Sequence, residues 1–254
     1  MTRIISVVNQ KGGVGKTTTV VSLCAAIAKK KKKVLLIDLD PQGNATSGMG
    51  IDKSEIENST YDVLVNDVPM SEAIVPTTAK NVSICPTNIN LAGAEVELVS
   101  AMSREMILKN AIDDVKDDFD FIFIDCPPSL SILTINGLTA STDIIIPIQG
   151  EYYALEGVSQ LNDTINIVKK KLNPKLSILG VVLTMFDRRT QLTRQVKDEV
   201  DNYFEEKVFK TTIPRNVRLA EAPSHGKAIS DYDPSSKGGK AYDDLAKEVI
   251  KRCK

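Results

Sequence analysis

The chain of 254 residues has no tryptophan, a single histidine and only 5% aromatic residues. With so few aromatic rings, the core must be mostly aliphatic. The lone histidine, His225, excludes sites that need two imidazoles. The chain also lacks a Gly-x-Ser-x-Gly motif, which argues against a nucleophilic hydrolase. We therefore expect His225 to be structural or surface-exposed rather than catalytic.

The four cysteines, at positions 24, 85, 126 and 253, form no Cys-x-x-Cys pair. This excludes the common zinc motifs, and free thiols in a reducing compartment are the simplest interpretation. No apolar run reaches the ~18 residues of a membrane span. Met1 leads directly into a strand-like run without the pattern of a secretory signal. We therefore expect a cytoplasmic protein.

Short β-branched runs alternate with longer helical patterns along the chain. Six runs predict strands: Arg3–Val8, Val34–Asp38, Asn81–Pro86, Phe121–Asp125, Asp143–Pro147 and Ile178–Thr184. Several are almost continuously apolar, as in strands that are covered on both faces. Helical patterns cover 16–31, 91–99, 103–117, 130–140, 154–172, 189–204 and 240–252. The alternation predicts an α/β fold, a mostly parallel doubly wound sheet with helices on both faces, as one domain over residues 1–254.

The strongest motif is the glycine-rich segment Asn9–Thr19, which follows the first predicted strand and opens the first predicted helix. Such a loop wraps a phosphate with its N–H groups, and the helix N-terminus adds positive potential. Lys16 suits the β- and γ-phosphates, and the Thr17 hydroxyl suits Mg²⁺. The segment predicts a P-loop NTPase, whose nucleotide-binding residues are Lys11, Gly12, Gly13, Val14, Gly15, Lys16, Thr17 and Thr18.

The loop departs from the pattern G-x-x-x-x-G-K-[ST] at its first position, which is Gln10. A second lysine, Lys11, precedes the two glycines and is hard to explain as structure. Because the loop wraps the phosphates of its own site, the Lys11 side chain is better placed to cross to a nucleotide on a neighbouring subunit.

These features resemble the deviant Walker A loop of the ParA/MinD class of P-loop ATPases. Four further segments extend the resemblance: Val34–Met49, Phe121–Ser129, Glu151–Gly157 and Ile213–Gly226. Together they are similar to the short, chromosomal Soj/ParA branch over nearly the whole chain. The loop alone would not separate that branch from MinD, nitrogenase iron protein or arsenite-pump ATPases. The resemblance implies ATP and Mg²⁺ as cofactors.

The resemblance also gives roles to aspartates at strand ends. Asp40 matches the position needed for hydrolysis, so we expect it to be catalytic together with Lys11 and Lys16, and it can hold the attacking water or the metal. Asp125 matches the Walker B aspartate, which holds Mg²⁺ through water. The predicted metal residues are therefore Thr17, Asp40 and Asp125. For Asp38, a supporting position near the metal and a cap on the next turn remain equally open.

Residues Ile213–Ser224 contain two prolines and no apolar periodicity, which predicts an ordered loop. The resemblance implies that Pro214, Arg215, Asn216 and Val217 line the adenine, with Asn216 as the polar contact. The residues themselves do not separate adenine from guanine, although the lack of an Asn-Lys-x-Asp motif is consistent with ATP.

The arginines are unevenly distributed, because six of the eight lie after residue 185. Residues 186–254 carry 15 basic and 12 acidic side chains, a balance of +3, whereas the preceding part has a balance of −4. Charge alone leaves a solvated surface and a DNA-binding face equally open. The resemblance favours nonspecific DNA binding through Arg189 and Arg218, with Arg188 as a competing contact beside Arg189.

The resemblance implies an ATP-dependent homodimer that binds DNA, hydrolyses ATP slowly and is stimulated by a ParB-like partner in chromosome or plasmid segregation at the nucleoid. The alternative is a MinD-like regulator that cycles on membranes. That function needs an amphipathic C-terminal tail, and Leu245–Cys253 is a poor one, so we expect no stable membrane association. We expect its apolar stripe to pack on its own domain, and the run Lys29–Lys33 to be a solvated helix end.

Overall fold

The structure, a computed structural model, describes residues 2–151, 156–187 and 189–254, without the side chains of residues 156 and 157. Within these residues there are seven strands, β1 to β7: Arg3–Val7, Val34–Asp38, Val75–Pro76, Val82–Cys85, Phe121–Asp125, Asp143–Gln149 and Ser177–Thr184. The same residues form twelve α-helices, α1 to α12: Lys16–Ala28, Asn44–Gly48, Thr60–Val65, Met70–Ala73, Leu91–Glu97, Ile107–Asp113, Ile132–Ala140, Glu156–Lys171, Gln191–Phe204, Val217–Glu221, Ile229–Tyr232 and Lys237–Arg252.

The strands form one sheet in the order β3-β4-β2-β5-β1-β6-β7. Every neighbouring pair is parallel except β3 with β4, a short antiparallel pair at one edge. This confirms the predicted fold class. The carboxyl ends of β1, β2 and β5 lie side by side, so the segments that follow these strands meet at one edge of the sheet.

Helices cover both faces of this sheet. Successive strand residues point to opposite faces, so Ile4 joins one core and Ile5 the other. The first core contains side chains of α3 to α9, and the second contains side chains of α1, α2 and α10 to α12. Coverage on both faces explains why the strands are apolar at almost every position.

The apolar stripe of α12 packs against α1. Tyr242, Leu245, Ala246 and Val249 are at most 1% exposed, and the hydroxyls of Tyr242 and Thr19 are hydrogen-bonded at 3.1 Å. The stripe is therefore part of the second core, as predicted. Over the described parts of the chain, no helix combines the length and apolarity needed to cross a bilayer.

The lysine run lies at the end of α1, as predicted. Three ion pairs attach it to neighbouring segments: Lys29 with Asp231 at 3.0 Å, Lys30 with Asp243 at 2.6 Å and Lys32 with Asp120 at 2.9 Å. The four cysteines are free, also as predicted.

The prediction of a loop over Ile213–Ser224 is wrong, because α10 and a following 3-10 turn, Ala222–His225, occupy part of it. The Asn216 side chain caps α10 by accepting from the Arg218 N–H at 2.8 Å.

Helix α6 is much shorter than the predicted 103–117. The sequence patterns also miss β3, α2, α3, α4 and α11, all of which are too short to show periodicity.

Candidate phosphate-binding site

The loop between β1 and α1 is held by contacts with two neighbouring strands. The Asn9 side-chain amide donates to the Pro147 carbonyl of β6 at 2.7 Å and accepts from the Lys11 N–H at 3.0 Å. The Thr184 hydroxyl of β7 donates to the Val14 carbonyl at 2.8 Å. Gly13 and Gly15 have φ values of +74° and +88°, which other residues rarely adopt. The loop is therefore fixed by the fold.

Lys16 is the first residue of α1 and is only 7% exposed. Its ammonium group donates to the Lys11 carbonyl at 3.2 Å, which closes the loop on itself. Burial lowers the pKa of Lys16, while the negative charges of Asp125 and Asp40 oppose that shift. Because an ammonium has three N–H donors, this cation has capacity for further acceptors such as phosphate oxygens.

Two aspartates end neighbouring strands at the same level of the sheet. Asp38 of β2 pairs in register with Asp125 of β5. Asp38 is fully buried, and one of its oxygens accepts from the N–H and the hydroxyl of Thr46 at 2.8 and 2.7 Å. Burial raises the pKa of Asp38 to about 6 despite these bonds. Asp38 thus binds the first turn of α2, the capping role that the sequence left open.

Asp125 is buried in a different way. Both of its carboxylate oxygens are inaccessible, and neither has a hydrogen-bond partner among the described residues. Burial raises the pKa of Asp125 well above its ordinary value. The charges of Asp38 and Asp40 add to this rise, whereas the nearby Thr17 hydroxyl and Lys16 ammonium oppose it without forming a hydrogen bond of normal geometry to the carboxylate. An orphaned buried carboxylate is costly to the fold, so its presence points to a bound cation.

Asp40 lies just beyond β2 and is 7% exposed. Its Oδ1 accepts from the Gln42 N–H at 3.0 Å, and its carbonyl accepts from the Gly43 N–H at 2.8 Å. Both contacts are local to the turn, so they fix the Asp40 carboxylate at the sheet edge that carries the loop.

A metal ion at this edge would need ligands besides protein side chains. Across the described residues, no three His, Cys, Asp or Glu side chains converge into a metal site. Mg²⁺ is usually held by one or two carboxylates, with substrate phosphates and waters completing its shell. The Thr17 hydroxyl and the orphaned Asp125 fit such a partial set of ligands.

A cavity of about 210 Å³ adjoins the loop. Gly15 and Thr18 line it on one side, and Pro214, Arg215 and Asn216 on the other. Val217, the fourth residue predicted to contact adenine, is 69% exposed and is not among the described lining residues.

The Lys11 side chain contacts its own subunit. Its ammonium lies 3.3 Å from the Glu151 carboxylate, which also accepts from the Gln149 amide at 2.5 Å. Lys11 and Glu151 are 40% and 50% exposed, so this pair is solvated. Sequence reasoning did not predict Glu151 as a partner, although it begins the quoted segment Glu151–Gly157, in which residues 152–155 lie outside the described residues.

Gly12 differs from the other loop glycines. It has no positive φ, and a Cβ built on it meets no atom of the described residues within 4 Å. Nothing in the described part of this subunit therefore requires glycine at that position.

The two arginines predicted to bind DNA are exposed but not isolated. Arg189 makes a bidentate pair with Asp187, at 2.9 and 2.8 Å, which lowers the pKa of Asp187 to about 2. Arg218 donates to Glu221 at 2.8 Å and lies 3.6 Å from Asp233. Sequence spacing could have shown two of these partners, since Asp187 is two residues before Arg189 and Glu221 is three after Arg218. Arg188 lies outside the described residues.

Comparisons with known proteins cover the whole chain. A family model described as an AAA domain matches residues 2–178. The chain is 59% identical to the sporulation initiation inhibitor protein Soj of Bacillus subtilis over 249 residues, which cover 98% of each protein. It is 50% identical to the chromosome partitioning protein ParA of Myxococcus xanthus over 250 residues, 98% of this chain and 88% of that protein.

Among solved structures, a cobyrinic acid a,c-diamide synthase from Mycobacterium smegmatis with a bound ATP analog and magnesium is similar at a TM-score of 0.88. The two are 41% identical, and the match covers 100% of this chain and 96% of that one. The likeness therefore extends well beyond the phosphate-binding loop.

Proposed function

Because the chain belongs to the ParA/Soj family of chromosome-partitioning ATPases, we propose that it is a single-domain switch that binds ATP and Mg²⁺, dimerises, binds nonspecific DNA and slowly hydrolyses ATP. The observation that carries this proposal is the combination of a buried lysine, Lys16, with an orphaned buried carboxylate, Asp125, beside a glycine loop. A polyphosphate with a divalent cation would supply partners to both charges.

Within one subunit, the loop residues have separate roles. Lys16 and the N–H groups from Gly12 to Thr18 bind the phosphates, while Thr17 and Asp125 hold Mg²⁺, which neutralises phosphate charge when it is bound. Asp40 positions the attacking water and acts beside Lys16. Pro214 to Asn216 contact the base across the cavity that Gly15 and Thr18 also line.

Dimerisation is the step that needs Lys11. The Lys11 ammonium leaves Glu151 of its own subunit and binds the phosphates of the other subunit. Among the described residues, no atom lies within 4 Å of a Cβ built on Gly12, which supports this proposal because the reason for glycine there would be the close approach of a partner. A Gly12→Val substitution should then prevent pairing without disturbing the subunit.

DNA binding follows dimerisation because two copies of a weak phosphate-binding surface on one body gain by effective concentration. Arg189 and Arg218 contribute, with Arg188 as the competing contact, and each described arginine exchanges a carboxylate for a DNA phosphate. A ParB-like partner stimulates hydrolysis and returns the subunits to the free state. The cellular function of this ATPase cycle is the segregation of a chromosome or plasmid on the nucleoid.

The MinD-like alternative needs an apolar face that can enter a membrane. In α12 the large apolar residues Tyr242, Leu245 and Val249 are buried in the second core. The partition function is therefore the better supported proposal, and sedimentation with liposomes in the presence of ATP would test the alternative directly.

The decisive experiment measures DNA binding with ATP, ADP and no nucleotide at two salt concentrations, alongside light scattering. We expect a dimer and DNA binding with ATP alone. Lys11→Ala should keep ATP binding and lose both, whereas Asp40→Ala should trap the DNA-bound dimer by blocking turnover. An ATP dimer that persists in Lys11→Ala would refute the cross-subunit contact, and normal turnover in Asp40→Ala would remove its catalytic role.

A further inference from the structure

Exposed apolar side chains are concentrated in one short segment. Eight large apolar side chains are exposed among the described residues, and four of them lie between residues 89 and 102. They are Ile89, Val96, Val99 and Met102, with exposed fractions of 66%, 75%, 63% and 94%. We call these four residues the α5 surface. Single exposed apolar residues are ordinary, but four large ones within residues 89–102 make this segment a candidate interaction site.

Helix α5 and the 3-10 turn that follows it have two apolar sides. Leu91, Ala94 and Leu98 are at most 2% exposed and pack into the first core. Val96 and Val99 are left on the outer side, where a surface helix normally carries polar residues. Ile89 lies in the turn before α5 and Met102 follows the 3-10 turn, so the exposed apolar side chains extend past both ends of the helix. The inner side accounts for folding, so the outer side needs another explanation.

The sequence segment that contains the α5 surface is acidic. Residues 52–105 contain nine acidic and three basic side chains, a balance of −6. Helix α3 brings its acidic segment next to α5, since the Tyr61 hydroxyl donates to Glu97 at 3.0 Å. Arg104, the basic residue two positions after Met102, already contacts Glu105 at 3.2 Å and the Val99 carbonyl at 2.8 Å.

We propose that the α5 surface binds a basic amphipathic helix of a partner protein. The apolar stripe of such a helix covers Val96, Val99 and Met102, and its flanking lysines or arginines contact Glu95 and Glu97. Met102, the most exposed of the four, suits this role because its unbranched side chain adapts to different shapes.

Charge decides between this partner and the other possible occupants. A second copy of the chain would bring one acidic rim against another, and an anionic lipid surface would be repelled in the same way. The partner helix needs no nucleotide, because none of the four residues of the α5 surface belongs to the phosphate-binding site described above.

The test uses a fluorescein-labelled peptide of about 18 residues, or five helical turns, with leucine on one helical face and lysine elsewhere. Anisotropy titrations with the nucleotide-free protein should show binding. The triple variant Val96→Ser/Val99→Ser/Met102→Ser should bind at least ~10-fold more weakly, in proportion to the lost apolar contact. Glu95→Gln/Glu97→Gln should weaken binding at low salt only. Ile167→Ser is the matched control, since Ile167 is 55% exposed on α8.

Thermal melts of all variants should coincide, because every substituted side chain in the triple variant is exposed. A benzophenone on the apolar face of the peptide should cross-link within residues 89–102. The proposal is overturned if the wild-type protein fails to bind the lysine peptide or binds a glutamate counterpart equally well. It is also overturned if the triple variant and Ile167→Ser bind alike, or if cross-links fall elsewhere. Nucleotide-free dimerisation that the triple variant abolishes would instead identify a second copy as the occupant.

Discussion

Two groups of charged side chains in this protein differ in burial and in partners. At the phosphate-binding loop, Lys16 is 7% exposed with one backbone acceptor, and Asp125 is fully buried with neither oxygen hydrogen-bonded among the described residues. On the surface, Arg189 and Arg218 are 88% and 53% exposed, and each contacts a carboxylate. Burying an incompletely paired charge is costly, whereas an exposed pair contributes little. The buried charges at the loop therefore indicate a ligand, whereas the exposed arginine pairs alone do not.

The largest expected effect comes from removing the buried cation. Lys16→Ala should weaken ATP binding by ~100-fold or more, since two charge-assisted hydrogen bonds contribute ~1.5–3 kcal/mol each. Isothermal titration with ATP and Mg²⁺ measures this change, and Lys11→Ala is the control that keeps its affinity. Equal affinities for the two variants would mean that burial of Lys16 has no connection with the nucleotide.

The substitution Asp125→Asn should preserve the stability of the ligand-free protein and remove its binding of Mg²⁺. The raised pKa values of Asp125 and Asp38 mean that the folded state holds these protons more tightly than the unfolded state. Their ionisation therefore lowers the free energy of unfolding as the pH rises. For Asp38 this decrease falls between pH 3.8 and about pH 6. The ligand-free variant should melt no lower than wild type at neutral pH and should depend less on pH.

The same Asp125→Asn variant should lose the stabilisation that Mg²⁺ adds to ATP, measured as a shift in melting temperature. Asp38→Asn is the matched control: it disturbs the bonds to Thr46 and should lower the melting temperature. A strongly destabilised Asp125→Asn protein would show that this carboxylate has a structural partner instead.

The surface arginines should give a smaller effect that depends on salt. Each substitution removes two phosphate contacts from a DNA-bound dimer, so Arg189→Ala and Arg218→Ala should each reduce the slope of log affinity for DNA against log salt by ~2, with ATPase activity kept. Asp187→Asn should strengthen DNA binding, because it releases Arg189 from its bidentate pair. Filter binding over a salt titration measures these changes. Unchanged slopes in both alanine variants would leave the arginines as ordinary solvated surface.

The smallest expected effect is at Glu151. Its pair with Lys11 is solvated and contributes ~0.5 kcal/mol, and two such pairs break when a dimer forms, so Glu151→Gln should strengthen ATP-dependent dimerisation by about fivefold. The gain should vanish at high salt. Analytical ultracentrifugation with ATP checks this, and weaker dimerisation in Glu151→Gln would show that Glu151 acts after pairing rather than before it.

The sequence predicted six of the seven described strands and the position of the loop, because buried parallel strands and a glycine loop have strong local patterns. It missed α2 to α4 because caps and tertiary contacts stabilise such short helices, as in the reciprocal bonds between Ser59 and Asp62. The pairing of Asp38 with Asp125 could not be predicted either, since it depends on strand order. The carboxylates that bind Arg189 and Arg218 are visible in the sequence, but only the structure shows that they are used.

The hydrogen bonds of Asn9 have a kinetic consequence. They attach the start of the loop to β6, the strand that ends at Gln149, two residues before Glu151. Freeing Lys11 then requires only rotation of an exposed side chain, a motion of picoseconds to nanoseconds, without any backbone opening. The association rate of two nucleotide-loaded subunits should accordingly be set by collision and orientation, and not by a slow isomerisation beforehand.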